Sequence, residues 1–160
     1  MIYGETIIFD CKINESLEEL KKVFPNSIEL KRLYPCIDEQ KEYVEKLNII
    51  YDGFFEYLVK ETKLSQKTIQ DKLDYVQSFL QFYHLGYSEK SFSELDSSDF
   101  SYYFEDFMHR KCLWVSKSSL KASCRSLKTF VKFLKEKLRY FRDDLEYKDV
   151  IDSLNLDLYS

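Results

Sequence analysis

Residues 116–137, SKSSLKASCRSLKTFVKFLKEK, carry the clearest structural pattern in the chain. Apolar residues recur here at alternating intervals of four and three, and the pattern continues to residue 141. They are Leu120, Cys124, Leu127, Val131, Leu134, Leu138 and Phe141. This spacing places one apolar side chain per turn on the same face of an α-helix. The sequence therefore predicts a long helix from about Ser116 to Phe141 with one buried face.

A row of cations accompanies the apolar residues of this predicted helix. Each cation follows an apolar residue by one position, which is about 100° around a helix. The row consists of Lys121, Arg125, Lys128, Lys132, Lys135, Arg139 and Arg142. The stretch from Arg110 to Arg142 contains eleven Lys or Arg and one acid, Glu136, whereas the rest of the chain has a net charge of −14. The predicted helix is therefore strongly electropositive within a chain of net charge −4.

Three interpretations of the row of cations are open. A helix face that is merely solvated usually interleaves Glu with Lys to form i,i+4 pairs, and this row lacks them. The pattern favours contact with nucleic acid, because binding depends on the local field that phosphates meet. Docking on an acidic surface, of another protein or of this chain, is the second interpretation, and solvation is the third.

Three further helices are predicted before this one, with short loops between them except near residues 84–96. The first extends from Asp38 to about Lys63. The second begins after the N-cap candidate Ser65 and ends before Gly86, and the third opens with a capping box of Asp96 and Asp99. Their predicted buried residues are Tyr43, Leu47, Ile50, Phe54, Leu58; Ile69, Leu73, Val76, Phe79, Leu80, Phe82, Tyr83; Phe100, Tyr103, Phe104, Phe107 and Met108.

Composition supports a single all-α domain. The 160 residues include only 3 Gly and 2 Pro, which disfavours turn-rich β-folds and glycine-rich phosphate loops. We expect an N-terminal extension over residues 1–37, a helical domain over 38–142 and an acidic tail over 143–160. Within the extension, Tyr3–Ile13 is a weak candidate strand and Glu15–Phe24 a short helix. The tail is a candidate for a short terminal helix.

No pattern predicts a catalytic residue, a metal, a cofactor or a small-molecule substrate. Cys11, Cys36, Cys112 and Cys124 form no C-x-x-C pair, and we expect them to be reduced, buried apolar residues. His84 and His109 stand apart from them, and a histidine at a helix end usually interacts with the helix dipole. The N-terminus lacks the features of a secretion signal and no apolar run could span a membrane, so the sequence predicts a cytoplasmic protein.

Three stretches together resemble the N-terminal core-binding domain of tyrosine recombinases of the phage-integrase type. FFEYLVKETKLSQKTIQDKLDYVQSFLQFY, residues 54–83, is similar to the first two helices of that domain. FSELDSSDFSYYFEDFM, residues 92–108, is similar to its third helix, and residues 116–137 are similar to its fourth. The resemblance covers residues 50–137 and implies a four-helix orthogonal bundle of the sterile-alpha-motif-like type.

The resemblance also implies a duplex-DNA partner. In that family the second and fourth helices lie against the major groove and its flanking phosphates. The implied contacts are Gln66, Lys67, Gln70, Lys117, Lys121, Arg125, Lys128 and Lys132. Base edges, where they are read, would be read by Gln66, Gln70 and Arg125. The expected function is a non-catalytic DNA-binding module, and the alternative is a protein-interaction domain whose basic helix docks on an acidic partner.

The chain departs from the family in its catalytic elements. Tyrosine recombinases cleave DNA with a tyrosine of a separate C-terminal domain, assisted by arginines, a lysine and an H-x-x-R element. Here the third residue after His84 is Tyr87 and the third after His109 is Cys112, so no H-x-x-R is present. Tyr159 has no cluster of Arg or His near it in sequence. We therefore expect no strand cleavage.

Overall fold

The computed structural model describes residues 17–25, 31–111 and 116–155. These residues form six helices and no strand, which confirms the all-α class. The helices are α1 (Leu17–Val23), α2 (Lys41–Glu61), α3 (Gln66–Ser78, continued by the π-helical segment Phe79–Leu85), α4 (Ser97–Tyr102, continued by the π-helical segment Tyr103–Phe107 and by Met108–Lys111), α5 (Lys117–Leu138) and α6 (Asp144–Ser153). The orthogonal arrangement of the four central helices stays a prediction.

Side-chain caps fix the starts of three helices at the positions that the sequence predicts. The Ser65 hydroxyl accepts a hydrogen bond from the Thr68 amide at the start of α3. Asp96 caps α4 and forms the predicted capping box with Asp99. Ser116 caps α5 by accepting from the Ser119 amide. Each cap satisfies an amide that has no partner within its own helix.

The end of α5 differs from the prediction. The helix ends at Leu138, three residues before Phe141, because Arg139 adopts a left-handed conformation with φ 51°. The Tyr140 amide then donates to the Leu134 carbonyl over 3.2 Å, which closes the last turn. Tyr140 is buried and its hydroxyl donates to the Phe92 carbonyl. The burial of Tyr140 therefore turns the chain away from the helix axis.

The core is built largely from aromatic rings. Phe54 of α2 packs against Phe130 and Phe133 of α5, with ring centroids 5.1 and 5.5 Å apart. Phe79 stacks on Phe100 of α4 at 5.1 Å. Phe82 was predicted to be buried and this is wrong, since 61% of it is exposed. Its helix changes from α to π geometry at Phe79, and that change alters the direction of each later side chain.

The described N-terminal residues pack on the same core. α1 forms where the short helix is predicted and buries Leu20 and Phe24 against α2. Leu33 is buried from the extended residues that follow, and its amide and carbonyl both bond to the Asn48 side chain over 3.0 Å. The candidate strand Tyr3–Ile13 lies outside the described residues. The terminal helix predicted in the tail is present as α6.

Candidate nucleic-acid interface

Five predicted contact residues lie together along α5 and form what we call the basic face. The basic face consists of Lys117, Lys121, Arg125, Lys128 and Lys132. At 100° per residue they fall within an arc of roughly 80°, beside the buried residues Cys124 and Val131. At 1.5 Å per residue they extend over about 22 Å. One side of α5 therefore presents a continuous row of positive charge.

The charges of the basic face are not neutralised within the described part of the chain. No described carboxylate oxygen lies within 4.0 Å of a nitrogen of these five side chains. Neighbouring lysines differ, since Lys137 lies 2.6 Å from Glu61 and Lys60 lies 2.8 Å from Glu56. Lys121 and Lys128 are half-buried, and the other three are exposed. The basic face therefore remains available to an external anion.

Lys72 of α3 extends the positive surface and was missed by the sequence analysis. It is half-buried, and its pKa is lowered by burial first and by the nearby Arg125 guanidinium second. Among the described residues no carboxylate lies within 4.0 Å of its ammonium. The sequence gives only a slight indication of this role. Lys72 directly precedes the buried Leu73, and it therefore lies at the edge of the buried face of α3. Its proximity to Arg125 follows only from how α3 packs on α5.

The predicted contacts at the start of α3 do not join this surface. Gln66, Lys67 and Gln70 are exposed, but they lie about 120–160° around α3 from Lys72. The Lys67 ammonium pairs with Asp71 at 3.3 Å, and the Gln70 amide donates to Asp74 over 2.9 Å. The structure therefore brings together the α5 contacts and Lys72, and it separates them from the three α3 residues.

Beyond Lys132 the row of cations is interrupted by contacts with α6 and by the end of α5. The Lys135 ammonium lies 4.4 Å from the centre of the Tyr147 ring, a cation–π contact. Arg142 lies beyond the helix, and its guanidinium donates to Glu146 over 3.0 Å. Arg139 occupies the left-handed position after α5. The part of the row that lies on α5 without contact to α6 therefore ends at Lys132.

Burial sets the chemistry of the described histidine and cysteine candidates. His84 is buried with its Nε2 bonded to the Tyr43 hydroxyl, and burial lowers its pKa to about 3. The imidazole is therefore neutral, and the expected interaction with a helix dipole is wrong. Cys124 is buried as predicted, and burial raises its thiol pKa to about 12. Cys36 is exposed, contrary to the prediction, and Cys11 and Cys112 lie outside the described residues.

The described residues contain neither a candidate metal centre nor a helix suited to span a membrane. No group of three or more His, Cys, Asp or Glu side chains in residues 17–25, 31–111 and 116–155 is placed to hold a metal ion. None of the helices in these ranges is long and apolar enough to cross a membrane.

Comparison with known proteins gives one match. A family model described as "Phage integrase, N-terminal SAM-like domain" matches residues 51–138, just over half of the chain. The match includes α3, α4 and α5 and the second half of α2. The model describes the N-terminal domain and not the catalytic one. No curated protein and no solved structure is significantly similar to the chain.

Proposed function

The chain belongs to the family of phage integrase N-terminal SAM-like domains, and from this we propose that it is a non-catalytic module that grips duplex DNA with the basic face of α5. The proposal is carried by the absence of any described carboxylate within 4.0 Å of these five cations. The basic face is about 22 Å long, which is the length of about six base pairs at 3.4 Å each. The basic face therefore matches a stretch of phosphate backbone. Neutralising phosphates would release condensed counterions and supply the binding free energy.

Gln66, Lys67 and Gln70 form a separate part of the proposal. The family resemblance assigns them to DNA, and their exposure on α3 is compatible with contact. The side chains of Lys67 and Gln70 already interact with Asp71 and Asp74, so binding of a phosphate there would have to displace two carboxylates. We therefore assign the main DNA contacts to the basic face and a secondary contact to these three residues.

Fluorescence anisotropy with a labelled duplex of unrelated sequence tests the proposal. Each phosphate contact lowers log affinity by about 0.9 per tenfold rise in salt, so five contacts predict a slope of about −4.5. Affinity should then fall about 500-fold between about 50 and 200 mM salt. The double variant Lys121→Glu, Lys128→Glu should bind much more weakly and with a flatter slope. Its melting temperature should be nearly unchanged.

A matched control reverses the same amount of charge elsewhere. Lys41→Glu with Lys60→Glu alters two lysines of α2 that are exposed and lie outside the basic face. This variant should bind DNA nearly as well as the unchanged protein. If the unchanged protein shows no salt-sensitive binding to DNA, the proposal fails and the alternative of an acidic protein partner takes its place. Equal loss in both double variants would show a general effect of net charge instead of a site.

A further inference from the structure

The groove between α3 and α5 carries cations from both helices. We infer that this groove is a phosphate-binding site to which α3 contributes Lys72, and that it holds duplex DNA irrespective of base sequence. The inference rests on the proposed function and deepens it, because it names a further binding residue and the class of DNA that the site accepts.

The packing of α3 on α5 fixes the position of Lys72. Ile69, Leu73 and Val76 are buried on one face of α3, and the Leu73 carbonyl accepts a hydrogen bond from the Tyr51 hydroxyl over 2.8 Å. Lys72 lies about 60° from the centre of that face, so its stem is half-buried at the edge of the helix contact. Because the stem is held there, the ammonium loses less freedom on binding an anion than a lysine exposed along its whole length.

The charges of the groove favour an anion between the two helices. Lys72 and Arg125 come from different helices and are close enough for Arg125 to disfavour the charged form of Lys72. Two like charges without a carboxylate between them repel each other, and a phosphate placed between them would offset that repulsion. With the basic face, the described part of the groove then presents six cations to one partner.

Apart from Arg125, the side chains suited to reading bases lie outside the groove. Sequence is read by groups with a fixed pattern of donors and acceptors, above all the amides of Asn and Gln and the fork of Arg. Gln66 and Gln70 are on the opposite flank of α3, and the Gln70 amide is bonded to Asp74. Five of the six groove cations are lysines, which act as point charges. In the described residues the groove is therefore built for phosphates.

The test compares four or more unrelated duplexes of equal length and three single variants of the full chain. The unchanged protein should bind all duplexes within about threefold of one another. Lys72→Gln should weaken binding to every duplex by the same factor and reduce the salt slope by about 0.9, the value for one phosphate. Lys72→Arg should restore the slope. Lys41→Gln, which removes the same charge from an exposed position of α2 outside the basic face, should leave the slope unchanged.

Each result either supports the inference or overturns it. A preference of more than tenfold among the duplexes that disappears in the double variant Gln66→Ala, Gln70→Ala would overturn the claim of sequence independence. An unchanged slope in folded Lys72→Gln, checked by circular dichroism, would remove Lys72 from the site. If Lys72→Gln does not fold, a slope for Lys72→Arg that differs from that of the unchanged protein overturns the assignment, and an equal slope supports it. Absence of any salt-sensitive binding is a different outcome, since it would refute the proposed function itself.

Discussion

His84 shows how strongly burial governs single residues in this protein. The imidazole lies in an apolar environment beside Phe92, with ring centroids 5.8 Å apart, and Nε2 is bonded to the Tyr43 hydroxyl. Nδ1 has no hydrogen-bond partner in the described residues. Protonation would place a charge where no counter-charge is bonded to the ring. The folded state therefore binds a proton on His84 far less readily than the unfolded chain does.

Acidification should consequently destabilise the fold through His84. Its pKa is about 3 in the folded state and 6.5 in the unfolded one, so below pH 6.5 the unfolded state binds one more proton. The stabilising contribution is complete above pH 6.5 and is lost as the pH falls towards 3. Between about pH 7 and 5 we expect a loss of about 2 kcal/mol in the free energy of unfolding, measured with denaturant. His84→Gln should remove most of that dependence, and an equal loss in the variant would contradict the assignment.

Gly53 offers a second test, because it lies against the ring of Phe24, the residue that follows α1. A Cβ on Gly53 would lie 2.5 Å from the Phe24 ring, which is buried against α2. Ala in place of Gly gains about 1 kcal/mol of helix propensity. Displacing a buried Phe costs about 3–5 kcal/mol, so Gly53→Ala should destabilise the protein. In a Phe24→Ala background the same change should stabilise it by about 1 kcal/mol. A double-mutant cycle in denaturant measures this reversal of sign, and additive effects would contradict the packing.

At the level of helices, α5 was the most predictable element and its end the least. Intervals of four and three identify its buried face, because a helix that buries one side must place apolar residues there. The end at Leu138 depends on the burial of Tyr140 under the loop that carries Phe92, a long-range contact that no local pattern encodes. Phe82 was misjudged for a similar reason, since the change to π geometry at Phe79 is not visible in the spacing.

The candidate site also has a part that the sequence predicts and a part that it does not. The basic face of α5 is predictable because all its members lie on one helix. Lys72 is not predictable, because its role depends on which flank of α3 faces α5. Gln66, Lys67 and Gln70 were predicted from family resemblance. Such a resemblance transfers positions along a helix, but it does not show which carboxylates interact with the side chains there. Asp71 and Asp74 interact with Lys67 and Gln70, whereas no described carboxylate pairs with the basic face.

The buried face of α5 should carry much of the stability of the fold. Leu127 and Val131 are fully buried in the middle of the helix. Truncating a buried Leu to Ala typically costs about 2–5 kcal/mol, and Val somewhat less. We therefore expect Leu127→Ala to lower the free energy of unfolding by an amount in this range. Lys132→Ala, exposed on the same helix, should change it by less than about 0.5 kcal/mol. A midpoint shift near zero for Leu127→Ala would mean that this face is not part of the core.

The whole molecule combines an acidic average with a basic surface. Its net charge of −4 and pI of about 5.3 would conventionally argue against a nucleic-acid partner. The cations are nevertheless concentrated on α5 and at the edge of α3, while α6 places acidic side chains such as Asp144 and Asp149 on the surface. Such a separation favours one orientation of approach to a polyanion, because the acidic surface is repelled by it. In the proposed function, binding and orientation would both follow from this charge distribution.

Binding by this chain should not be accompanied by cleavage of DNA. The matched family model describes the N-terminal domain of integrases, and the sequence has no H-x-x-R element. A tyrosine that attacks a phosphate must lose its proton, and the described buried tyrosines are unsuited to this. The Tyr57 hydroxyl donates to Glu136 and its pKa is raised to about 12, by burial first and by that carboxylate second. Tyr83 donates to Asp99 over 3.0 Å, and its pKa is also raised.

Incubation with supercoiled plasmid, at a low salt concentration where binding is seen by gel shift, should leave the plasmid supercoiled. Denaturing electrophoresis should show no protein–DNA adduct, since the sequence has no H-x-x-R element to assist attack by a tyrosine. The gel shift on the same sample makes the negative result informative, because it shows that the protein has met its substrate. An adduct that forms with the unchanged chain and is lost in Tyr159→Phe would contradict this prediction. It would place a nucleophile in the C-terminal residues and make the chain a cleaving enzyme as well as a DNA-binding module.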